Sequence, residues 1–377
     1  MADLPIVSIV MPVRNEADFI GQSLTSVLAQ DYPMSQVEVL VVDGMSTDGT
    51  RQIVEDLARR YAGSLSPVPG HRSPVIRLID NPGMIVPTGM NIALGQARGD
   101  IIVRVDGHCE ISPDYISRCV EHIMKVGVDG VGGSVETVGE TPTAKVIAVA
   151  MSSRFGVGDS AFRTEAGKTM LADTIPFPAY TRSIVEKAGG YDEELVRCQD
   201  DEYNYRLRKM GARLLLAADV RSRYYSRASL QSLSRQYLQY GFYKVRVLQK
   251  HPRQMRLRQF APPSFVLGLV IVLGLWFLVP GGWIGIVAVG GAYVLANLAA
   301  SVLTAAKKGW RQLPLLPIVY AILHLSYGLG FVVGLLRFWN RWGDKIGRVP
   351  QFSADNSEVG ILKPESRNAD EEKNNRG

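Results

Sequence analysis

The chain has 377 residues, 46% of them hydrophobic and 21% charged, with a formal net charge of +6. At roughly 150 residues per domain that is room for two or three structural units, and the balance excludes a disordered or collagen-like chain and leans toward membrane association. The excess of positive charge is too small to argue for a nucleic-acid partner. Cys109, Cys119 and Cys198 form no CxxC pair and no even-numbered framework, which rules out a disulfide scaffold or zinc ribbon and fits a reducing compartment.

The first apolar run, 6–13, has no basic leader, is too short to span a bilayer and leads into Arg14, Glu16 and Asp18. It reads as a buried strand and not as a signal peptide. Beyond it, short β-branched runs alternate with segments of helical spacing, the signature of a mostly parallel sheet covered by helices. Strands are expected at 6–11, 37–42, 75–79, 101–105 and 130–134. Phe19, Ile20, Leu24, Val27 and Leu28 share one helical face, and Ile53, Val54, Leu57 and Tyr61 another. These faces are core.

After Val220 no acidic residue occurs until Asp344. Arg221, Arg223, Arg227, Arg235, Lys244, Arg246, Lys250, Arg253, Arg256 and Arg258 are interleaved with Tyr237, Leu238, Tyr240, Phe242, Tyr243 and Val245, a pattern that reads as helices on an anionic membrane surface. Residues 260–306 carry no charge and are broken at Pro280, Gly281 and Gly282, enough for two spans; 313–336 supplies a third. From 351 onward the chain is polar and mixed in charge and reads as a disordered tail. The expected division is therefore a catalytic unit at 1–220, basic interfacial helices at 221–259, about three membrane helices at 260–340, and a loose tail at 341–377.

In an open α/β sheet ligands bind past the carboxyl ends of the strands. There the chain places Pro12, Val13, Arg14, Asn15 and Glu16; then Asp43 through Thr50; then Asp106, Gly107 and His108. Asp43 has the chemistry to accept a hydrogen bond from the ring N–H of a uracil, whereas Asp48 reads as a helix cap. Asp106 and His108, two apart, make an open site for Mg2+ or Mn2+ that a diphosphate completes. Gln199, Asp200, Asp201 and Glu202 form an acidic run in which crowding raises at least one pKa, as suits a general base; carboxylates at a helix start are the alternative reading.

The strings PVRNE, VVDGMSTDGT, RVDGHCEI, GGYDE and QDDE, in that order, resemble the family 2 inverting glycosyltransferases of the GT-A fold, closest to the succinoglycan-biosynthesis glucosyltransferase subgroup. The resemblance implies an α/β, Rossmann-like GT-A nucleotide-diphospho-sugar transferase domain with a mostly parallel sheet, followed by C-terminal transmembrane helices. It implies that Pro12, Val13, Arg14 and Glu16 line the nucleoside pocket, that Asp43 reads the base, that Asp106 and His108 hold the cation at the donor diphosphate, and that Asp200 is the base. Asp201, Gln236 and Tyr240 are placed on the acceptor or membrane side. The chain departs from the pattern at Gly44 and His108, each standing where a second Asp is usual, and at Gln199 in place of Glu. The Gln-x-x-Arg-Trp signature of processive synthases is missing, which favours addition of one sugar.

The expected reaction is transfer of a hexosyl group, most simply from UDP-glucose, to a lipid-linked saccharide in exopolysaccharide assembly at the bacterial inner membrane. Its partners are a nucleotide-sugar donor, a lipid-linked glycan acceptor, the membrane and other assembly proteins, with no nucleic acid. The rival readings are transfer to polyprenyl phosphate, polysaccharide synthesis, and a non-enzymatic nucleotide-sugar sensor.

Overall fold

The computed structural model describes residues 4–63, 75–158, 160–164, 167–226 and 229–352. Arg227 and the part of the expected tail at 353–377 lie outside them. The strands are β1 (Val7–Val13), β2 (Val37–Asp43), β3 (Val75–Asp80), β4 (Ile101–Arg104), β5 (Cys109–Ile111), β6 (Gly130–Val138), β7 (Met170–Leu171), β8 (Ala179–Thr181) and β9 (Leu214–Tyr225). They form one sheet in the order β3-β2-β1-β4-β8-β6-β9-β5, with β7 on β9.

The half built from β3, β2, β1 and β4 is parallel; β1, β2 and β4 are apolar runs buried on both faces, as parallel strands inside a sheet require, and β3 at the edge is only partly buried. Val7, Ile9 and Met11 point into one core and Val10 into the other, the two-residue alternation of a strand. The second half is mixed: β8 is antiparallel to both β4 and β6, while β9 runs parallel to β6. This half extends the catalytic unit past the expected limit at 220, because Arg221 through Tyr225 continue β9 and pair with Ser134 through Val138.

The parallel half sets the site. Its strands all end on one edge, so the segments after β1, β2 and β4 emerge side by side. Asn15 Oδ1 accepts from the Thr47 N–H at 2.9 Å, the Asn15 N–H donates to Ser46 Oγ at 2.8 Å, and the Glu16 N–H donates to Thr50 Oγ1 at 2.8 Å. The loops after β1 and β2 are thereby laced together. Asp48 caps the helix Thr50–Gly63 as expected, accepting from the Thr50 N–H at 3.1 Å.

Four long helices follow: Leu230–Lys250, Ala261–Leu278, Trp283–Lys308 and Leu316–Arg337. The last three are long and apolar enough to cross a membrane. In the first, three of the basic residues expected to face an anionic membrane surface turn inward instead. Lys244, Arg246 and Lys250 have side chains only 2%, 0% and 2% exposed, and they pair inward with Asp201, Glu194 and Asp192 of the catalytic unit. Its other side lies against Leu316–Arg337, where a Cβ on Gly241 would strike the Tyr327 carbonyl, so only glycine allows this approach. Residues 341–352, expected to begin a loose tail, are also docked. The Arg348 N–H donates to Asp192 Oδ1 at 2.9 Å, and the Gly190 N–H donates to the Pro350 carbonyl at 2.7 Å.

Candidate active site

A cavity of about 1920 Å3 opens at the carboxyl edge of the parallel strands. It exceeds the roughly 300–1,000 Å3 of an ordinary small-molecule pocket and has room for two substrates. Pro12, Val13, Arg14, Glu16, Asp106, His108, Asp200, Asp201, Gln236 and Tyr240 all line it. Residues up to 228 positions apart in the chain are thus brought to one space.

Asp43 is the exception: it is fully buried and lies one residue behind Gly44, which does line the cavity. Its Oδ2 accepts from Arg51 Nη1 at 2.9 Å and from the Ser46 N–H at 3.0 Å, while its Oδ1 has no hydrogen-bond partner. An unsatisfied buried carboxylate oxygen is costly and calls for a partner. Gly44 has its own reason to lack a side chain, since a Cβ there would come 3.1 Å from Arg14 Cβ. Arg14 lies along this backbone, its Nη1 donating to the Met84 carbonyl at 3.1 Å.

Asp106, Gly107 and His108 form the turn between β4 and β5, closed by the Cys109 N–H donating to the Asp106 carbonyl at 3.1 Å. His108 Nδ1 lies 2.9 Å from Glu16 Oε1. A carboxylate only accepts, so Nδ1 carries the proton and Nε2 is left for a ligand, the arrangement that orients metal-binding imidazoles. Burial works against protonation of His108, but Tyr224, the Glu16 hydrogen bond and Asp106 outweigh it and raise its pKa to about 9. A cation at Nε2 must therefore displace a proton. Among the described residues no group of three or more His, Cys, Asp or Glu gathers as a metal site. Asp106 and His108 fit a hard divalent cation whose remaining positions are filled by ligand oxygens and water.

The acidic run is resolved by the helix Gln199–Lys209. Each of the three acids has its own cation. Asp200 pairs with Arg104, Asp201 with Lys244 at 2.7 Å, and Glu202 with Arg206 at 2.9 Å. Asp200 faces the cavity, half-exposed to it, and Glu202 is buried behind. Burial raises the Asp200 pKa, with Arg104 opposing and Asp106 and Asp201 adding to the rise. Arg104, 6% exposed, also donates from Nε to Asp106 Oδ1 at 2.8 Å. It ties the turn Asp106–His108 to the acidic helix and was not singled out in the sequence; the signal was a lone charge inside the apolar run IIVRV. Gln236 donates from Nε2 to the Tyr240 hydroxyl at 3.0 Å, and its buried Oε1 has no partner.

The cavity does not stop at these groups. Its wall continues through Tyr237 and Tyr240 to Phe265, Val289, Tyr293 and Leu323 on the three apolar helices. A single space thus has a polar, acidic end at the sheet and an apolar end at the helices.

The model of the family described as "Glycosyl transferase family 2" matches residues 8–189. Succinoglycan biosynthesis protein ExoA of Rhizobium meliloti (strain 1021) is 32% identical over 347 residues, covering 88% of this chain and 96% of that protein. A dolichyl N-acetyl-alpha-D-glucosaminyl phosphate 3-beta-D-2,3-diacetamido-2,3-dideoxy-beta-D-glucuronosyltransferase of Methanococcus voltae is 24% identical, over 88% of this chain and 97% of that one. Among solved structures, the mannosyltransferase PcManGT from Pyrobaculum calidifontis, in complex with GDP-Man and Mn2+, matches with a TM-score of 0.53 at 21% identity, over 86% of this chain and 88% of that one. With its GT-A-like fold and near-complete coverage of a relative above 30% identity, the chain belongs to glycosyl transferase family 2.

Proposed function

We propose that this protein is an inverting hexosyltransferase that moves one sugar from a nucleotide-sugar donor, most simply UDP-glucose, to a lipid-linked saccharide on the cytosolic face of a bacterial inner membrane, in exopolysaccharide assembly. The observation that carries this reading is the continuity of one cavity from Asp106 and Asp200 to Phe265, Val289 and Tyr293. A soluble acceptor needs no such apolar end. The lipid-linked character of the M. voltae relative's substrate, as its name states it, agrees with this, as does the succinoglycan pathway named for the R. meliloti relative.

Asp200 takes the proton of the acceptor hydroxyl as that oxygen attacks the anomeric carbon; the new C–O bond forms on the face opposite the breaking bond to the diphosphate, which leaves as nucleoside diphosphate. Asp106 and His108 would hold Mg2+ or Mn2+, which would supply neutralisation of the charge on the departing diphosphate. Pro12, Val13, Arg14 and Glu16 form the donor end, with Glu16 keeping His108 in the right tautomer. Gln236 and Tyr240 sit on the acceptor side, where the unpartnered Gln236 Oε1 is available to a sugar hydroxyl. Asp201, paired with Lys244, fixes the acidic helix against Leu230–Lys250.

The reading predicts that nucleoside diphosphate is released on addition of an extracted lipid-linked oligosaccharide and not on addition of the same glycan freed of its lipid. Equal turnover with the free glycan sinks it; turnover with polyprenyl phosphate alone replaces it with direct transfer to that lipid.

Asp43 gives a second test. Its orphan Oδ1 is matched to the ring N–H of a uracil, which would approach it past the neighbouring Gly44 that lines the cavity. Losing a hydrogen bond to a charged group costs about 1.5–3 kcal/mol, so Asp43→Asn is expected to weaken UDP binding by about 10- to 100-fold in calorimetric titration, with turnover at saturating donor nearly kept. Unchanged UDP affinity removes Asp43 from the nucleoside site.

A further inference from the structure

We propose that the chain crosses the bilayer twice, through the hairpin Ala261–Leu278 and Trp283–Lys308, and that Leu316–Arg337 lies along the bilayer surface on the catalytic side with its outer stripe in the headgroup and acyl boundary. The proposal rests on reading the apolar helices as membrane helices and is independent of the sugar transferred.

Parity comes first. Before the hairpin, Arg256 pairs with Asp173 of the catalytic unit. After Leu316–Arg337, Arg341 pairs with Glu194, Arg348 is held by Asp192, and Phe352 packs against the core of the catalytic unit near Gly95. Both ends are bound to the same domain, so the number of crossings between them is even. Three helices long enough to cross are available, and one of them stays on the catalytic side.

Packing says which. Leu316–Arg337 runs in the same direction as Leu230–Lys250 along most of its length. Ser234 and Ser326 hydroxyls meet at 2.9 Å, Gly330 abuts Leu238, Gly334 abuts Phe242, and Gln249 Nε2 donates to the Phe338 carbonyl at 2.7 Å. Leu230–Lys250 cannot stand in hydrocarbon while Lys244, Arg246 and Lys250 are paired to carboxylates of the catalytic unit. Its companion lies flat with it. In the most apolar stretch of Leu316–Arg337, 44% of residues are buried within the protein, against 11% in each hairpin helix. Its high apolarity therefore has two sources, one face packed on protein and one on lipid.

The outer stripe is Ile318, Leu325, Leu329, Val333 and Leu336, all exposed. Trp310 precedes it and Trp339 and Trp342 follow, exposed as well, as interfacial tryptophans are. Trp276 and Trp283 mark the far interface, on either side of the uncharged turn at 279–282. Lys307, Lys308, Arg311, Arg337, Arg341, Lys345 and Arg348 then all lie on the cytosolic side, where the positive-inside rule wants them; three crossings would export the last four.

The test is labelling of sealed vesicles of known orientation with an impermeant maleimide, using Lys125→Cys on the catalytic unit, Pro280→Cys in the hairpin turn and Lys345→Cys, each corrected for the parent chain. The expected result is that Lys345→Cys labels with Lys125→Cys, and Pro280→Cys only from the other face. Lys345→Cys labelling with Pro280→Cys means three crossings, and Pro280→Cys labelling with Lys125→Cys means none; either overturns the proposal. A fluorophore at Leu329→Cys is expected to be quenched by bromines near the headgroups and not by bromines at chain ends, and the reverse order also overturns it. No arm depends on activity, so a failed transferase assay leaves this result standing.

Discussion

Asp200→Asn is expected to lower the turnover of sugar transfer by about 10² to 10⁴, the usual loss when a general base is removed, while the affinity for UDP stays within a few-fold of the wild type. Asparagine keeps the shape and the place in the first turn of Gln199–Lys209 but cannot take the acceptor proton. Asp201→Asn is the contrast, because Asp201 is committed to Lys244 at 2.7 Å. Its loss leaves Lys244 buried without its partner, so it should lower the thermal midpoint and cost some turnover, far less than the loss of Asp200, and it should shift the pH profile. Burial raises the Asp200 pKa, and the neighbouring Asp201 charge adds to the rise. A base works only when deprotonated, so the acid limb of turnover should lie above the ordinary aspartate range and move down when Asp201 is neutralised. Near wild-type transfer by Asp200→Asn together with a dead Asp201→Asn reverses the assignment.

What made Asp200 a candidate in the sequence was its company, a run of acids at a helix start after motifs on three earlier strand ends, and the fold places it in the same cavity as those motifs. The parallel half of the sheet was legible for a similar reason, since strands buried on both faces are unbroken β-branched runs. The other half was not. β5, β7 and β8 are two or three residues long, too short for any periodicity, and the last stretch of β9 runs through Arg221, Ser222 and Arg223 to Tyr225, which composition assigns to the basic region that follows. Arg104 was invisible as a site residue because what defines it, Asp200, lies 96 positions away. The basic helix was misread for the same cause. A helix rich in Lys and Arg looks alike whether its partners are lipid phosphates or carboxylates at 192–201, and only the fold brings those carboxylates to it. Residues 341–352 have the charges, glycines and proline of a loose segment, and what fixes them is largely backbone hydrogen bonding, which leaves no trace in residue type.

The contacts that sequence could not show are those on which stability should depend most. Lys250 and Asp192 are 2% and 1% exposed and paired, and Lys250 Nζ also lies 2.6 Å from Glu194 Oε2. Removing one partner of a buried ion pair leaves an uncompensated charge, at a cost of about 3–5 kcal/mol, whereas replacing both with groups of similar size is often close to neutral. Lys250→Met is therefore expected to lower the thermal midpoint of the detergent-solubilised protein strongly, and Asp192→Asn with Lys250→Met to recover most of the loss. If the double variant is as unstable as the sum of the singles, the pair itself supplies the stability and the unpaired carboxylate is not the cause. Acid should act on the same cluster. Burial raises the Glu194 pKa, but hydrogen bonds and charges from Arg246 and Lys250 outweigh it and bring it to about 2, below its ordinary 4.5 or so. A carboxylate with a depressed folded-state pKa contributes stability that is fully present above its unfolded pKa and is lost as pH falls toward the folded one. The Glu194 contribution should thus fade between about pH 4.5 and 2, and Glu194→Gln should flatten that part of the stability profile while leaving the neutral limb in shape. The consequence reaches function, because the segment 192–202 carries Asp200 and is pinned to Leu230–Lys250 by Asp192, Glu194 and Asp201. Loosening these pairs lets the base-bearing helix move relative to the membrane-side helices, so variants at Lys250 should lose turnover at temperatures below their unfolding midpoint, with UDP affinity falling less.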